Sequence, residues 1–450
     1  MVHNEEQSKI ANPKMLLFSL CFVLMFSVMN GTMFNIAIPD IAEAFQLSAS
    51  EVSWVMTGYI MIYAVGALIY GKLADTIAFK TLITFGLTVF AIGSFIGFLA
   101  PNYFFVLAAR VVQAIGGSMI PALAFIAPLR YFPKERGKIL GIIASVMAFA
   151  SGIGPILGGI IAGYLSWEYL FLTSGFIIIT LPFLRKNLPD EESTNVKLDY
   201  LGAALVAVTI ISLIMGITLG YLETLLLSFV FFILVIVRMF TAKNPFIPKH
   251  LFKKRNYVIA LFTSFLAVAC LFGLMFTVPI LLREVYALST MQIGMVMFPG
   301  AISAALIGRK GGRLVDQKGA RKIYMLALLL LGSGFLVVSS TVGLHPVALS
   351  LTLIFPMMCF PLVQASGADL LANLLPSNET GVGMGVFNLM NFVSGALSAA
   401  VVGVILDIFQ PHQAANLIAI NGTSAVYSNI FLVFMVIIFI ALGSFRLVYK

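Results

Sequence analysis

The chain has 450 residues, of which 60% are apolar and only 10% are charged, and its mean hydropathy is +1.05. This composition excludes a soluble protein, because the surface of a soluble domain grows too fast relative to its volume to hide so much apolar area. Apolar blocks such as 16–29 and 82–100 contain no charged residue. A helix of about 20 residues crosses the ~30 Å of hydrocarbon in a bilayer, whereas the alternating segments of about 10 residues that a barrel needs are absent. The sequence therefore predicts an all-α polytopic membrane protein.

Fourteen apolar blocks are separated by breaks that contain Pro, Gly or charged residues, for example 100–102, 131–134 and 410–412. Apolar stretches of this length between polar breaks indicate membrane spans. In chain order the predicted spans are residues 15–38, 52–72, 80–99, 103–127, 138–163, 167–184, 200–219, 223–240, 257–281, 291–308, 323–341, 346–371, 382–406 and 426–445.

Basic residues lie at alternate ends of these spans. With the N-terminus inside, all but two of the 27 Lys and Arg fall in inner segments, the exceptions being Arg283 in an outer loop and Arg110 within span 4. This asymmetry follows the positive-inside rule and predicts a multi-pass membrane protein with both termini in the cytoplasm. The net charge of +9 then reflects topology and contact with anionic lipids, not binding to nucleic acid.

The sequence contains an internal repeat. Gly71–Asp75 recurs as Gly312–Asp316, 241 positions later, and residues 31–34 recur as 273–276, 242 positions later. An offset near 242 carries span 1 onto span 9, so each half has six spans and spans 7 and 8 are inserted between them. Duplicated halves are typical of transporters with a site near the middle of the membrane.

The predicted domains are therefore an N-terminal six-helix half at residues 1–190, two inserted helices at 191–245 and a C-terminal six-helix half at 246–450. In such a protein, alternating access follows when one half rocks against the other around a fixed site.

The first motif with chemical content follows span 2. It begins at Gly71, includes Asp75 and ends at Lys80, and its repeat contains Gly312 and Asp316. A carboxylate at a helix end, beside a short turn that starts with glycine, can pair with a basic residue or with the N-terminus of another helix.

Span 4 carries an arginine, Arg110, with Gln113 three residues later. A permanently charged guanidinium inside a membrane helix is energetically costly and is usually functional. The alternative is a structural arginine whose side chain extends to the interface, because Arg110 lies only about two turns from the outer end of the span.

Span 5 carries a segment rich in glycine, formed by Gly152, Gly154, Pro155, Gly158 and Gly159. The glycines allow neighbouring helices to approach closely, and the proline leaves one carbonyl without its helical partner and bends the helix. Generic close packing is the alternative interpretation.

Together with residues 30–40 in span 1 and 54–59 in span 2, these motifs resemble those of the major facilitator superfamily. More narrowly, they resemble its fourteen-helix drug:proton antiporters, which include multidrug and tetracycline exporters of Gram-positive bacteria. The resemblance implies that the motif after span 2 and its repeat form a cytoplasmic gate. It also implies that Arg110 is a proton-relay residue and that the glycine-rich segment is the antiporter motif. Many relatives carry an aspartate where this chain has Asn30.

The resemblance and the polarity of spans 1 and 4 predict a substrate cavity that includes Asn30, Asn35 and Gln113. Asn30 cannot titrate, so another acid must carry the proton. Asp40 ends span 1 about 15 Å from Asn30 by helical rise, at a depth similar to that of Arg110, which is expected to stabilise its charged form.

Asp369, near the inner end of span 12, is the second candidate for the proton carrier. For both Asp40 and Asp369, the alternative role is an interfacial cap or gate.

The expected function is a proton-coupled antiporter that exports hydrophobic, often cationic drugs by alternating access. A dedicated antiporter for tetracycline–metal complexes is the runner-up, and other carrier substrates stay open. A channel or a membrane enzyme is disfavoured, because the sequence is duplicated and contains no phosphate loop, hydrolytic triad or metal-ligand cluster. We expect no metal and no cofactor apart from the proton gradient. The expected partners are small-molecule drugs, protons and membrane lipids, but no nucleic acid.

Overall fold

A computed structural model describes residues 12–47, 49–191, 199–243, 245–288, 290–376, 379–408, 413–416, 418, 422 and 424–449. Within these ranges the regular structure is helical. Fourteen helical segments are long and apolar enough to cross a membrane. The predicted fold class and the number of spans are therefore confirmed.

The helices of spans 1 to 8 are Pro13–Phe45, Ala49–Leu73, Phe79–Phe98, Tyr103–Gly117 with Met119–Tyr131, Arg136–Tyr164, Tyr169–Gly175 with Phe176–Thr180 and Leu181–Asn187, Tyr200–Leu219, and Leu222–Thr241. After a short helix at His250–Lys253, the helices of spans 9 to 14 are Arg255–Glu284, Thr290–Lys318, Ala320–Thr341, Pro346–Leu374, Thr380–Ile408 and Ala425–Val448.

Prolines account for the two spans that consist of more than one helix. In span 4, Pro121 has no N–H for the carbonyl of Gly117, where the first helix ends. In span 6, Pro182 lies in the first turn of the last helix, after a 3₁₀ segment. Both spans still cross the membrane because the next helix begins at once.

Span 10 is longer than the sequence indicated. Its helix continues from Thr290 to Lys318, so the segment Gly312–Asp316, which we expected in a loop, is helical. The helix ends where Gly319 adopts a positive φ of 86° and donates its N–H to the Val315 carbonyl at 2.9 Å. Glycine adopts a positive φ without the steric penalty of a side chain, so it is suited to the end of a helix.

The chain forms two compact units. The first comprises residues 1–133, 153–249 and 375–389, and the second comprises 134–152, 250–374 and 390–450. The beginning of span 5 thus packs within the second unit, and the beginning of span 13 packs within the first. The predicted domain boundaries at 190 and 245 were drawn from the repeat and stay a prediction.

Helix packing repeats between the two units. In the first unit, span 4 packs against spans 2 and 3, and span 6 packs against spans 1 and 3. In the second unit, span 12 packs against spans 10 and 11, and span 14 packs against spans 9 and 11. The same four pairings recur when each span number is raised by eight, as the repeat in sequence predicts.

The inserted spans 7 and 8 pair with each other in the first unit. Arg238 Nη2 lies 2.8 Å from Asp199 Oδ1, and the Ser228 hydroxyl donates to the Thr209 carbonyl at 2.9 Å. Most side chains of span 8 are exposed. In a membrane, these apolar side chains can face lipid without cost.

Candidate gate and buried polar site

Asp75, in the turn after span 2, binds the N-terminus of span 13. Its two carboxylate oxygens accept hydrogen bonds from the backbone N–H groups of Gly381 and Val382 at 2.8 and 2.9 Å. These N–H groups lie in the first turn of a helix, where they have no helical partner and carry a partial positive charge. Burial raises the pKa of the Asp75 carboxyl to about 6, although the two N–H groups act in the opposite direction.

Asp316, the repeat counterpart of Asp75, makes the same contact in the second unit. Its carboxylate oxygens accept from the backbone N–H groups of Gly137 and Lys138, both at 2.8 Å. These residues begin span 5, the counterpart of span 13. Each acid therefore binds the start of a helix from the opposite sequence half.

Glycines bring the helix backbones together beside each acid. A Cβ atom on Gly71 would lie 2.7 Å from the Gly381 carbonyl oxygen, and one on Gly312 would lie 2.2 Å from the Gly137 carbonyl oxygen. Contacts this short leave no room for a side chain. One helix crossing thus contains Gly71 and Asp75, and an equivalent crossing contains Gly312 and Asp316. The role of these residues as a gate stays a prediction.

Lys80, which we placed in the same gate, lies apart from these crossings. Its ammonium lies 2.7 Å from Asp190 Oδ1, and that aspartate side chain is 91% exposed. An exposed ion pair contributes little to stability. Arg130 is closer to the turn that holds Asp75, since it donates to the Ala74 carbonyl at 2.7 Å.

The contact at Asp75 yields a prediction. Replacing Asp75 with Asn removes the negative charge that the helix N-terminus favours, so the start of span 13 should separate from span 2 more often. In a background without the native cysteines, a cysteine at the buried position Val382 should react several-fold faster with a maleimide in the Asp75→Asn variant. An unchanged rate would mean that the contact does not hold this crossing closed.

The second unit adds an ion pair beside Asp316. Arg136 Nε lies 2.5 Å from Asp369 Oδ1, and Asn373 bridges the pair, accepting from Arg136 Nη2 at 2.6 Å and donating to Asp369 Oδ2 at 3.1 Å. The Asp369 side chain is buried, with 7% exposure. The pair connects span 12 with the beginning of span 5.

In the first unit, Arg110 lies at the centre of a buried polar network. The guanidinium donates to the Val55 carbonyl at 3.1 Å, to Asn30 Oδ1 at 2.8 Å and to Gln113 Oε1 at 3.2 Å. The rings of Tyr59 and Phe34 stack on it at 3.9 and 4.2 Å from their centroids.

The partners of Arg110 explain why the side chain stays buried. An arginine at the centre of a membrane helix costs about 2.5–3.5 kcal/mol on insertion scales, which is an upper value for Arg110, about two turns from the end of its span. A hydrogen bond to a charged group contributes about 1.5–3 kcal/mol. Three such bonds together offset the cost of burying the charge, so the side chain does not need to extend to the interface. The structural alternative of an interfacial arginine is therefore not the observed conformation.

Asn30 and Gln113 are oriented by serines. The Asn30 amide donates to Ser174 Oγ at 2.7 Å, and the Gln113 amide donates to Ser94 Oγ at 2.8 Å. Both carbonyl oxygens are thereby directed to the guanidinium of Arg110. The two residues bind Arg110 in this structure, and their role in a substrate cavity stays a prediction.

The expected pairing of Arg110 with Asp40 is not formed. The structure describes both residues. Asp40 is exposed, and its carboxylate makes no ion pair with Arg110. Similar depth along two helices does not fix the direction in which each side chain points. The role of Asp40 in proton coupling stays a prediction, and the side chain of Asn35 lies outside the described residues.

The glycine-rich segment of span 5 packs on two different helices, and its role as an antiporter motif stays a prediction. In the first unit, a Cβ atom on Gly154 would lie 1.9 Å from Thr32 Oγ1, and one on Gly158 would lie 2.8 Å from the Met33 carbonyl oxygen. In the second unit, a Cβ atom on Gly152 would lie 2.9 Å from Ala301 Cβ. Gly159 is exposed, and the side chain of Pro155 lies outside the described residues.

Some residues of these sites had no distinct signal in the sequence. Gly137, Lys138, Gly381 and Val382 contribute only backbone N–H groups, which any residue except proline carries. A weak indication was available, because Pro133 and Pro376 lie 243 positions apart shortly before the two helix starts.

Comparison with known proteins identifies the family. Residues 20–399 match the model of the Major Facilitator Superfamily. The chain is 30% identical to the riboflavin transporter RibZ of Clostridioides difficile (strain 630) over 90% of this chain and 92% of RibZ. It is 28% identical to the multidrug efflux pump SdrM of Staphylococcus aureus (strain N315) over 94% of this chain and 96% of SdrM.

A solved structure supports the fold. The crystal structure of the human organic anion transporter MFSD10 (TETRAN) superposes with a TM-score of 0.66, covers 96% of both chains and is 17% identical in sequence. The family and fold are those of transporters and not of enzymes. With its fourteen candidate spans, the chain is a multi-pass membrane protein and a member of the Major Facilitator Superfamily.

Proposed function

We propose that this protein exports small hydrophobic drugs from a bacterial cell in exchange for protons. Multidrug efflux by the relative SdrM, which aligns with nearly the whole chain, supports the substrate class. The observation that carries the transport mechanism is the reciprocal contact of Asp75 with span 13 and of Asp316 with span 5. Two equivalent polar contacts between opposite sequence halves suit a gate that opens and closes during alternating access.

The energy source in this proposal is the proton gradient, without a cofactor. Its partners are drugs, protons and membrane lipids. Among the described residues, no cluster of three or more His, Cys, Asp or Glu could hold a metal ion. If the protein is instead a dedicated tetracycline exporter, the metal would arrive with the substrate.

The test is a resistance profile. The chain is expressed in cells that lack their own pumps, and resistance to ethidium-like cations, fluoroquinolones and tetracycline is compared with that of an empty vector. We expect resistance to more than one class, abolished by a protonophore. Resistance to tetracycline alone would favour the dedicated exporter, and no resistance to any class would contradict the proposal.

A second candidate function is riboflavin transport, because RibZ is 30% identical over 92% of its length. Growth of a riboflavin auxotroph separates the two functions. Rescue at low external riboflavin would indicate uptake, whereas an exporter should not rescue growth.

The proposal also includes the orientation of the protein: both termini lie on the cytoplasmic side of a bacterial plasma membrane. The positive-inside distribution of basic residues supports it. We expect a C-terminal fusion after Lys450 to be active with a cytoplasmic reporter such as green fluorescent protein. Activity of a periplasmic or extracellular reporter at this position would contradict the predicted topology.

A further inference from the structure

The described spans contain few carboxylates, and all of them lie near span ends. Glu223, Glu284, Asp316 and Asp369 are within five residues of the end of a candidate span. Asp316 and Asp369 already bind a helix start and an arginine. No carboxylate therefore lies deep in the described part of the spans, where it could attract a cationic substrate.

Arg110 has the opposite property: its buried positive charge has no counter-ion among the residues that the structure describes. The residue is 1% exposed, and every partner described above is neutral. Among the described residues, the hydrogen-bond partner of its Nη2 atom is the thioether sulfur of Met56, at 3.8 Å, and such a sulfur is a weak acceptor. Asn30 accepts a hydrogen bond from the guanidinium at 2.8 Å but carries no charge, so it does not compensate the charge of Arg110.

Tyr59 adds a second unused donor beside Arg110. Its ring stacks on the guanidinium, its side chain is 3% exposed, and its hydroxyl has no hydrogen-bond partner in the described part of the chain. A buried hydroxyl without a partner is unusual in native structures and calls for an explanation. The pair therefore holds a positive charge and unused N–H and O–H groups at one place.

We propose that the substrates present a hydrogen-bond acceptor or a negative charge, such as a carboxylate or a phenolate, to Arg110 and Tyr59, and that lipophilic cations are poor substrates. This inference rests on the proposed export function and narrows the often cationic drugs that the family resemblance implies. A cation at this place would meet a like charge in a medium of low dielectric constant, where repulsion is strong.

The proposal is consistent with the expected driving force. Export of one anion in exchange for one entering proton moves two positive charges inward. The membrane potential of a bacterium, negative inside, favours this direction. Export of a monovalent cation in exchange for one proton would gain nothing from the potential.

Two dyes with the same ring skeleton test the charge preference. Fluorescein is an anion at neutral pH, and rhodamine 123 is a lipophilic cation. Full-length protein is reconstituted into liposomes with an imposed pH gradient, and dye accumulation is compared with protein-free liposomes. We expect fluorescein to accumulate at least tenfold faster than rhodamine 123.

Two variants keep the test independent of folding defects. Asn30→Asp keeps the side-chain shape and adds a counter-ion for Arg110, so it should shift the ratio of the two rates toward rhodamine 123 by at least tenfold. Tyr59→Phe removes only the unpaired hydroxyl, so it should raise KM for fluorescein several-fold and leave the amount of folded protein unchanged.

The outcomes separate this inference from the function on which it rests. Accumulation of rhodamine 123 alone, or at the same rate as fluorescein, overturns the charge preference and leaves the exporter proposal standing. An unchanged ratio in Asn30→Asp also overturns it. Accumulation of neither dye, together with no drug resistance in cells, overturns both proposals.

Discussion

Replacing Gly154 with leucine should abolish transport while the protein still inserts into the membrane. Gly154 lies against span 1, where a Cβ atom would be 1.9 Å from Thr32 Oγ1 and 3.1 Å from Thr32 Cβ. Rotation of the threonine hydroxyl could relieve the first contact, but the remaining atoms of a leucine would still force the two helices apart. Helices that pack through glycine lose their close approach when the glycine is replaced.

The same helix offers a matched control. A Cβ atom on Gly163, nine residues later, would have no neighbouring atom within 4 Å, so Gly163→Leu adds the same apolar bulk to span 5 without a contact. We expect this variant to insert and to confer resistance like the unmodified protein. For both variants we would measure drug resistance, which reports transport, and the amount of monodisperse protein extracted from membranes, which reports insertion and folding. Full resistance from Gly154→Leu would show that close packing of spans 1 and 5 is not needed for transport.

Membrane spans are the part of this fold that the sequence predicts well. Hydropathy is read along the chain one residue at a time, and the lipid environment imposes a minimum length on each block. Span 10 shows where this method fails, because Lys310 and Arg313 resemble loop residues although the helix continues to Lys318. The composition of a segment indicates whether it lies in lipid or in water. The end of the helix in span 10 depends instead on the backbone conformation of Gly319.

The repeat predicted one side of each contact between an acid and a helix start. It identified Asp75 and Asp316 as equivalent, because their neighbouring residues are also alike. Their partners are backbone N–H groups at the starts of spans 5 and 13, and these groups leave no pattern in a single sequence. Only the packing of the helices shows which helix start each acid meets.

The environment of Arg110 was predicted only in part. Gln113 lies one turn away on the same helix, so its contact with the guanidinium follows from helical geometry. The contacts with Asn30, Tyr59 and Phe34 depend on how spans 1 and 2 are rotated about their axes. A sequence gives the depth of a residue in the membrane but not that rotation, which is why Asp40 was the expected partner.

Buried carboxylates are the natural candidates for proton carriers. Of the two candidates, Asp40 and Asp369, the more buried is Asp369. Its side chain is 7% exposed and lies 2.5 Å from Arg136 Nε, whereas Asp40 is exposed. Protonation of Asp369 would neutralise the pair and free span 12 from the beginning of span 5. We therefore favour Asp369 over Asp40 as the group that couples protons to transport.

Replacing Asp369 with Asn should abolish accumulation of substrate against its gradient when a pH gradient is imposed. Asparagine has nearly the same size and shape as aspartate, but it cannot bind and release a proton. Substrate exchange without a pH gradient should persist, since exchange requires only that the protein changes conformation with substrate bound. Asp40→Asn is the matched control and should retain accumulation driven by the pH gradient. If Asp369→Asn loses exchange as well, the ion pair is a structural part of the gate. If it accumulates substrate normally and Asp40→Asn does not, the proton carrier is Asp40.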